Sequence, residues 1–285
     1  MSKFPFTCTP EHLAYGDKPK WISATDGDTP TMELPVRMLG MDAPELHYGG
    51  ATKKNPGKFD ADFAKFLNGP GKNLDSGLKA ELSNRLKANA CTRHIISGDS
   101  AYNFFTALVA KRLDRGLGKN GKPLTPRHLF VMASTEVFDR YGRLLAYINA
   151  SYTKKERQSI PAKKRPTFNL EMIQEGQAVS LIIYPNIPKP EDLELVQDAV
   201  SKARKGHKGF WKGSPEPLLP YEFRWIVDTI SDAHKRTGPD RYCGDITNAN
   251  LYPPQLYYKV LPENRLFFFP EDLGDAHQMG FKLVT

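Results

Sequence analysis

No window of the chain approaches the ~18 consecutive apolar residues that a membrane-crossing helix needs, which excludes a helical membrane protein. Cysteine is scarce. Cys8, Cys91 and Cys243 are scattered, odd in number and free of any Cys-x-x-Cys pair, which argues against a disulfide framework and a zinc site. The first residues, MSKFPFTCTPEH, hold a lysine but no apolar stretch. They do not read as a secretory leader, and a cytoplasmic location is expected. Internal repeats are missing as well.

What is present is enough to build a core. Of 285 residues, 40% are apolar and 11% aromatic, which rules out wholesale disorder. Lys and Arg number 40 against 32 Asp and Glu, a net charge of +8. The excess is uneven. Residues 215–285 carry seven basic and ten acidic side chains, a balance of −3, so residues 1–214 carry +11. Two runs stand out, 46–99 with nine basic and five acidic residues and 154–165 with six and one. Such density attracts polyanions through counterion release, although a solvated loop would look the same.

Turn residues and hydrophobic spacing give the order of elements. Short strands are expected over 21–24 and 34–39, with Asp26-Gly27-Asp28-Thr29 as a turn between them. A Gly-, Pro- and Lys-rich excursion follows over 46–76. A helix is expected over 78–90, and a second is expected to start after Asp99 or Ser100 and to stop at Gly116. Strands follow near 129–132 and 143–148, then a short helix over 169–176, a strand over 179–184 and a helix over 190–205. The tail from Glu216 is broken by proline, yet Tyr221, Phe223, Trp225, Tyr257, Phe267 and Phe268 say that it packs.

The chemistry concentrates in two acidic segments, Asp26-Gly27-Asp28-Thr29 and Asp42-Ala43-Pro44-Glu45. If the stretch between them is a hairpin, its ends meet, and Asp28 and Asp42 could share one hard cation such as Ca²⁺. Each segment also reads as a plain turn. Arg37 lies between them, and Arg143 follows the turn Asp139-Arg140-Tyr141-Gly142. Phosphodiester cleavage needs charge neutralisation, a base for water and fork-shaped donors for the phosphoryl oxygens. Arginine supplies that fork where lysine supplies a point charge. No Ser or Cys nucleophile dyad competes with this reading.

These residues resemble the staphylococcal nuclease family. The resemblance is carried by Asp26-Gly27-Asp28-Thr29, by Arg37-Met38-Leu39-Gly40-Met41-Asp42-Ala43-Pro44-Glu45, and by Asp139-Arg140-Tyr141-Gly142-Arg143-Leu144-Leu145-Ala146-Tyr147. It continues through 169–184 to Phe210-Trp211, in the same order. It implies an α+β fold, a five-stranded OB-fold β-barrel with packed helices. Residues 1–214 would form that unit with 46–99 as a helical insertion, and 215–285 would be an extension packed on the barrel. It implies a Ca²⁺-dependent endonuclease acting on DNA and RNA, leaving 3′-phosphate and 5′-hydroxyl ends. No membrane partner is expected. Asp28, Asp42 and the Ala43 carbonyl would hold the metal, with Asp26 orienting them. Glu45 would serve as general base, Arg37 and Arg143 would bind phosphate, and Tyr141 and Tyr184 would contact the nucleotide. Ile182 stands where the family has a pocket tyrosine. The insertion is expected to flank the site, with His47 and His94 as surface histidines. The alternative is an inactive OB-type nucleic-acid-binding module, which the complete set of acids and arginines disfavours.

Overall fold

One extended segment sets the architecture. Residues 36–38 form strand β3 (Val36–Met38), and residues 40–42 form β4 (Gly40–Asp42). At the start of β4 the backbone turns at Gly40, at φ +70°, a left-handed conformation that favours glycine. The turn hands the segment from one sheet to another. β3 runs parallel to β8 (Leu144–Ala150), while β4 runs antiparallel to β9 (Val179–Ile183). Arg37 and Asp42 therefore lie on either side of one bend.

The computed structural model describes residues 19–233 and 238–284; Cys8 and the other N-terminal residues considered above lie outside them. The remaining strands are β1 (Lys20–Ala24), β2 (Pro30–Glu33), β5 (His47–Tyr48), β6 (Ala51–Thr52), β7 (Leu129–Phe138), β10 (Tyr242–Asp245), β11 (Asn250–Tyr252), β12 (Arg265–Phe268) and β13 (Lys282–Leu283). The helices are α1 (Asp60–Lys65), α2 (Ser76–Arg85), α3 (Ala90–Leu113), α4 (Lys154–Ser159), α5 (Phe168–Gln174), α6 (Pro190–Lys205), α7 (Pro220–Ile230) and α8 (Leu273–Gln278). No helix among the described residues is long and apolar enough to cross a membrane.

The fold is mixed α and β, with four sheets among the described residues, in the orders β1-β2, β13-β11-β10-β12-β9-β4, β3-β8-β7 and β5-β6. None closes on itself, so the expected five-stranded barrel is not seen as a closed sheet. The reason is local. Among the described residues β1 and β2 pair with each other alone, and every residue of both is exposed. β7 is left as an edge, with Leu129, Phe130, Val131 and Met132 exposed.

The expected helix start at Asp99 or Ser100 is also overridden. Helix α3 begins at Ala90 and passes straight through both residues, and the expected helix over 78–90 ends at Arg85. The capping propensity of Asp and Ser is weak against burial of Cys91, His94 and Ile95 along the earlier turns.

The 215–285 segment does more than lie on the surface. β12 pairs with β9 in parallel and with β10 antiparallel, so its strands extend the sheet that carries β4. One apolar cluster holds Met41, Phe63, Leu78, Ile95, Trp211, Phe223, Tyr257 and Phe267. Its polar tie is a buried ion pair. Arg85 of α2 forks Glu222 of α7 (Nη1 to Oε1 3.2 Å), and Tyr257 donates to the same oxygen at 3.0 Å. Glu222 is fully buried, so its removal strands a guanidinium away from water. Glu222→Ala is expected to cost about 3–5 kcal/mol in urea unfolding of the full chain, a loss that a surface ion pair would not produce.

Candidate functional site

Asp42, at the end of β4, is fully buried and carries three hydrogen bonds. Arg37 Nη2 donates to its Oδ1 at 2.8 Å, and Arg224 of α7 grips both oxygens, at 3.0 Å to Oδ1 and 2.7 Å to Oδ2. Burial alone would raise the carboxyl, but Arg224 first and Arg37 second outweigh it and hold Asp42 below the ordinary carboxylate value. Arg224 Nη1 reaches Glu45 Oε1 as well, at 2.5 Å. The two carboxylates and two guanidiniums are balanced in charge.

The backbone of Glu45 is fixed from below by α3. Its N–H donates to His94 Nε2 at 3.0 Å, and the imidazole lies flat on Phe223, ring centres 3.8 Å apart and planes 3° off parallel. Gly98, one turn on, approaches so closely that a Cβ there would stand 2.2 Å from the Glu45 carbonyl oxygen. His94, expected at the surface, is thus buried, while His47 is exposed. Burial, followed by the charge on Arg224, brings His94 down to about 3, so it is neutral and able to accept from Glu45.

A cleft of 780 Å³ opens over this cluster, and Arg37, Glu45, Tyr48, Tyr141, Arg143, Tyr184, Arg224 and Arg241 are among its lining residues. Arg143 is held at its rim by Asp139. Nε and Nη2 meet Oδ2 at 2.7 and 2.6 Å, while Oδ1 accepts from the backbone N–H groups of Tyr141 and Arg143. Tyr141 is half exposed, with the Arg143 guanidinium 5.3 Å from its ring centre. Tyr184 stacks on Phe268 at 5.7 Å. Arg241, 4.7 Å over the Phe269 ring, is brought down to about 10 by burial and then by Arg224.

The structure brings together Arg37, Asp42, Ala43, Glu45, Arg143, Tyr141 and Tyr184, but not Asp26 or Asp28. The turn 26–29 is the tip of the β1–β2 hairpin, closed by a Thr25 N–H to Thr29 carbonyl bond of 3.1 Å. It is Lys20 and Glu33 that meet at the open end, so the tip with its acids lies at the end of the hairpin opposite to the one that leads into β3. Asp28 is exposed and accepts from Thr29 Oγ1, and Asp26 is held below the usual carboxylate value by Thr29 and then Asp28. Neither acid lines the cleft.

Ca²⁺, which the resemblance implies, takes about six to eight oxygen ligands. Here both oxygens of Asp42 and one of Glu45 face guanidinium N–H groups, and Asp28 lies apart. Among the described residues no group of three or more His, Cys, Asp or Glu side chains is arranged to hold an ion. The residues, so arranged, do not fit the metal.

Residues 117–213 match the family model of staphylococcal nuclease homologues. The endonuclease YhcR of Bacillus subtilis (strain 168) is 30% identical over 153 residues, 53% of this chain. The chain is thus similar to the staphylococcal nuclease family over residues 117–213. It spans 11% of the length of that relative. The segment matched by the nuclease family model contains Tyr141, Arg143 and Tyr184, whereas the bend from Arg37 to Glu45 precedes it and Arg224 follows it.

Arg224, His94 and Gly98 were not singled out as site residues by sequence reasoning. For Arg224 a signal exists: Glu222, Arg224 and Asp228 interrupt an otherwise apolar helix, and buried charges there require partners from elsewhere. The pH dependence follows from His94. Its folded value lies below the ordinary 6.5, so the unfolded chain binds more protons, and stability present above pH 6.5 is lost as the pH falls toward 3. The expected slope from this group is about 1.4 kcal/mol per pH unit in urea unfolding, and His94→Gln, which keeps an acceptor for Glu45, should flatten it.

Proposed function

We propose that the chain is a phosphodiesterase that hydrolyses nucleic acid, DNA and RNA, by internal cutting at this cleft. The observation that carries the reading is the convergence of Arg37, Arg143 and Arg224 with the Glu45 carboxylate on one open surface. The match of residues 117–213 to the nuclease family model and likeness to an endonuclease support the same class of reaction. The family's OB-type architecture belongs to the reading too, supported by the handover of segment 36–42 from β8 to β9.

Guanidinium groups draw in the polyanion and fork its non-bridging oxygens, and both effects strengthen as charge builds on the phosphoryl group. Glu45 accepts a proton from the attacking water. The water oxygen bonds to phosphorus while the bond to the 5′ oxygen breaks, its electron pair leaving on that oxygen. The proton held by Glu45 passes to it, which yields 3′-phosphate and 5′-hydroxyl ends. Tyr141 and Tyr184 offer ring faces to flanking bases. This chemistry is assigned to side chains alone, since Asp42 and Glu45 are engaged by guanidiniums and Asp28 lies apart.

One observation favours a second reading, a module that binds nucleic acid without cutting it: Arg224 already holds Glu45 Oε1. Digestion of plasmid, single-stranded DNA and RNA separates the two. Glu45→Gln and Arg143→Ala should each lower cleavage by about a hundred- to ten-thousandfold with the fold intact, while polymer binding falls steeply with added salt. Binding without cleavage by the wild type would favour the second reading. Gly98→Ala, which displaces the Glu45 backbone, should lower kcat more than it raises KM.

A further inference from the structure

Asp42, expected to hold a metal, and Glu45, expected to act as general base, are already held. Arg224 uses three of its N–H groups on Asp42 and Glu45, in the planar fork that a carboxylate accepts best. A guanidinium has five N–H donors. Among the described residues the remaining two of Arg224, Nε–H included, bond nothing, and the side chain lines the cleft. It is anchored on both sides along the helix, by Phe223 against His94 and by Trp225 edge-on to Phe66 at 5.8 Å. Its neighbours Glu222 and Asp228 are committed elsewhere, to Arg85 and to the Tyr48 hydroxyl at 2.8 Å. Nothing on α7 competes for it.

We propose that the Arg224 guanidinium is the resident cation of this site: it holds Asp42 and Glu45 in place of a divalent ion, and phosphodiester cleavage proceeds without one. The proposal rests on the nuclease reading for its second half and on geometry alone for its first. Arg224 does two things that a bound cation would do. It neutralises a fully buried carboxylate, and it fixes the orientation of Glu45, leaving Oε2 to take the water proton. It also keeps two N–H groups without a protein partner among the described residues, on a side chain that lines the cleft. A dication added to Asp42 would meet Arg37 and Arg224, and the further acid beside it, Glu45, is already engaged by Arg224, while Asp28 sits on the exposed hairpin. The extension is thereby part of the reacting centre.

The test titrates Ca²⁺ into the full chain by calorimetry and follows plasmid nicking in EDTA and in Ca²⁺, for wild type, Arg224→Ala and Arg224→Lys. Wild type should take up no Ca²⁺ up to about 1 mM, the weak end of protein calcium sites, and should cleave equally in both conditions. Arg224→Ala should lose at least about tenfold of the cleavage seen in EDTA, regain activity with Ca²⁺ and show a new Ca²⁺ heat. Arg224→Lys should keep part of the chelator-resistant activity, as a point charge without the fork. Ca²⁺ uptake by wild type with cleavage confined to Ca²⁺, or Arg224→Ala cutting in EDTA as wild type does, overturns the proposal. Should Arg224→Ala fail to fold, the wild-type titration still decides. Should wild type cut nothing in any condition, the nuclease reading fails, while Ca²⁺ uptake alone still decides whether Arg224 is the cation.

Discussion

A carboxylate with no exposed surface, Asp42, is the constraint from which the rest follows. Removing such an ion from water costs several kcal/mol even after relaxation. At about 4 Å and an effective dielectric of about 20, one opposite unit charge returns about 4 kcal/mol. A single guanidinium shared with a second acid leaves the group poorly compensated, and two close the gap. Arg37 comes from the same bend of chain, five residues before its partner. Arg224 comes from 182 residues further on, so the demand of one buried oxygen pair reaches across the whole molecule.

That demand organises the 215–285 segment. Helix α7 presents three charged residues among apolar ones, and each has a different partner. Glu222 is met by Arg85 of α2, Arg224 by Asp42 of β4, and Asp228 by Tyr48 of β5. The helix is thereby registered against the 46–99 segment on two sides and against the central sheet on the third. The same 46–99 segment supplies His94 and Gly98 beneath Glu45, so it bears on the site by supporting the backbone, with Tyr48 at the cleft wall. The 46–99 and 215–285 segments thus meet around the bend that carries Arg37, Asp42 and Glu45.

Much of this was legible in the sequence where chemistry and short-range spacing coincide. Arg37, Asp42 and Glu45 sit within nine consecutive residues, and the Asp139–Gly142 turn fixes Arg143 by local hydrogen bonds that its residue types announce. The strand over 179–184 and the helix over 190–205 appear within a residue of where periodicity puts them. What was not legible depends on long-range choices. A turn sequence says that Asp28 sits in a hairpin tip but not which way the hairpin points. The caps at Asp99 and Ser100 are real propensities that lose to burial of the turns before them. Arg224 could be suspected as a buried charge in α7, yet its partner lies 182 residues away and no spacing rule links them.

The most direct test of the central claim, that Asp42 and Arg224 form one energetic unit, is a double-mutant cycle in urea unfolding with Asp42→Asn, Arg224→Gln and the pair. A coupling of about 2–3 kcal/mol is predicted, the upper part of the range of about 0.5–3 kcal/mol for residues in one hydrogen-bonded network. Additive losses, with coupling near zero, would contradict it.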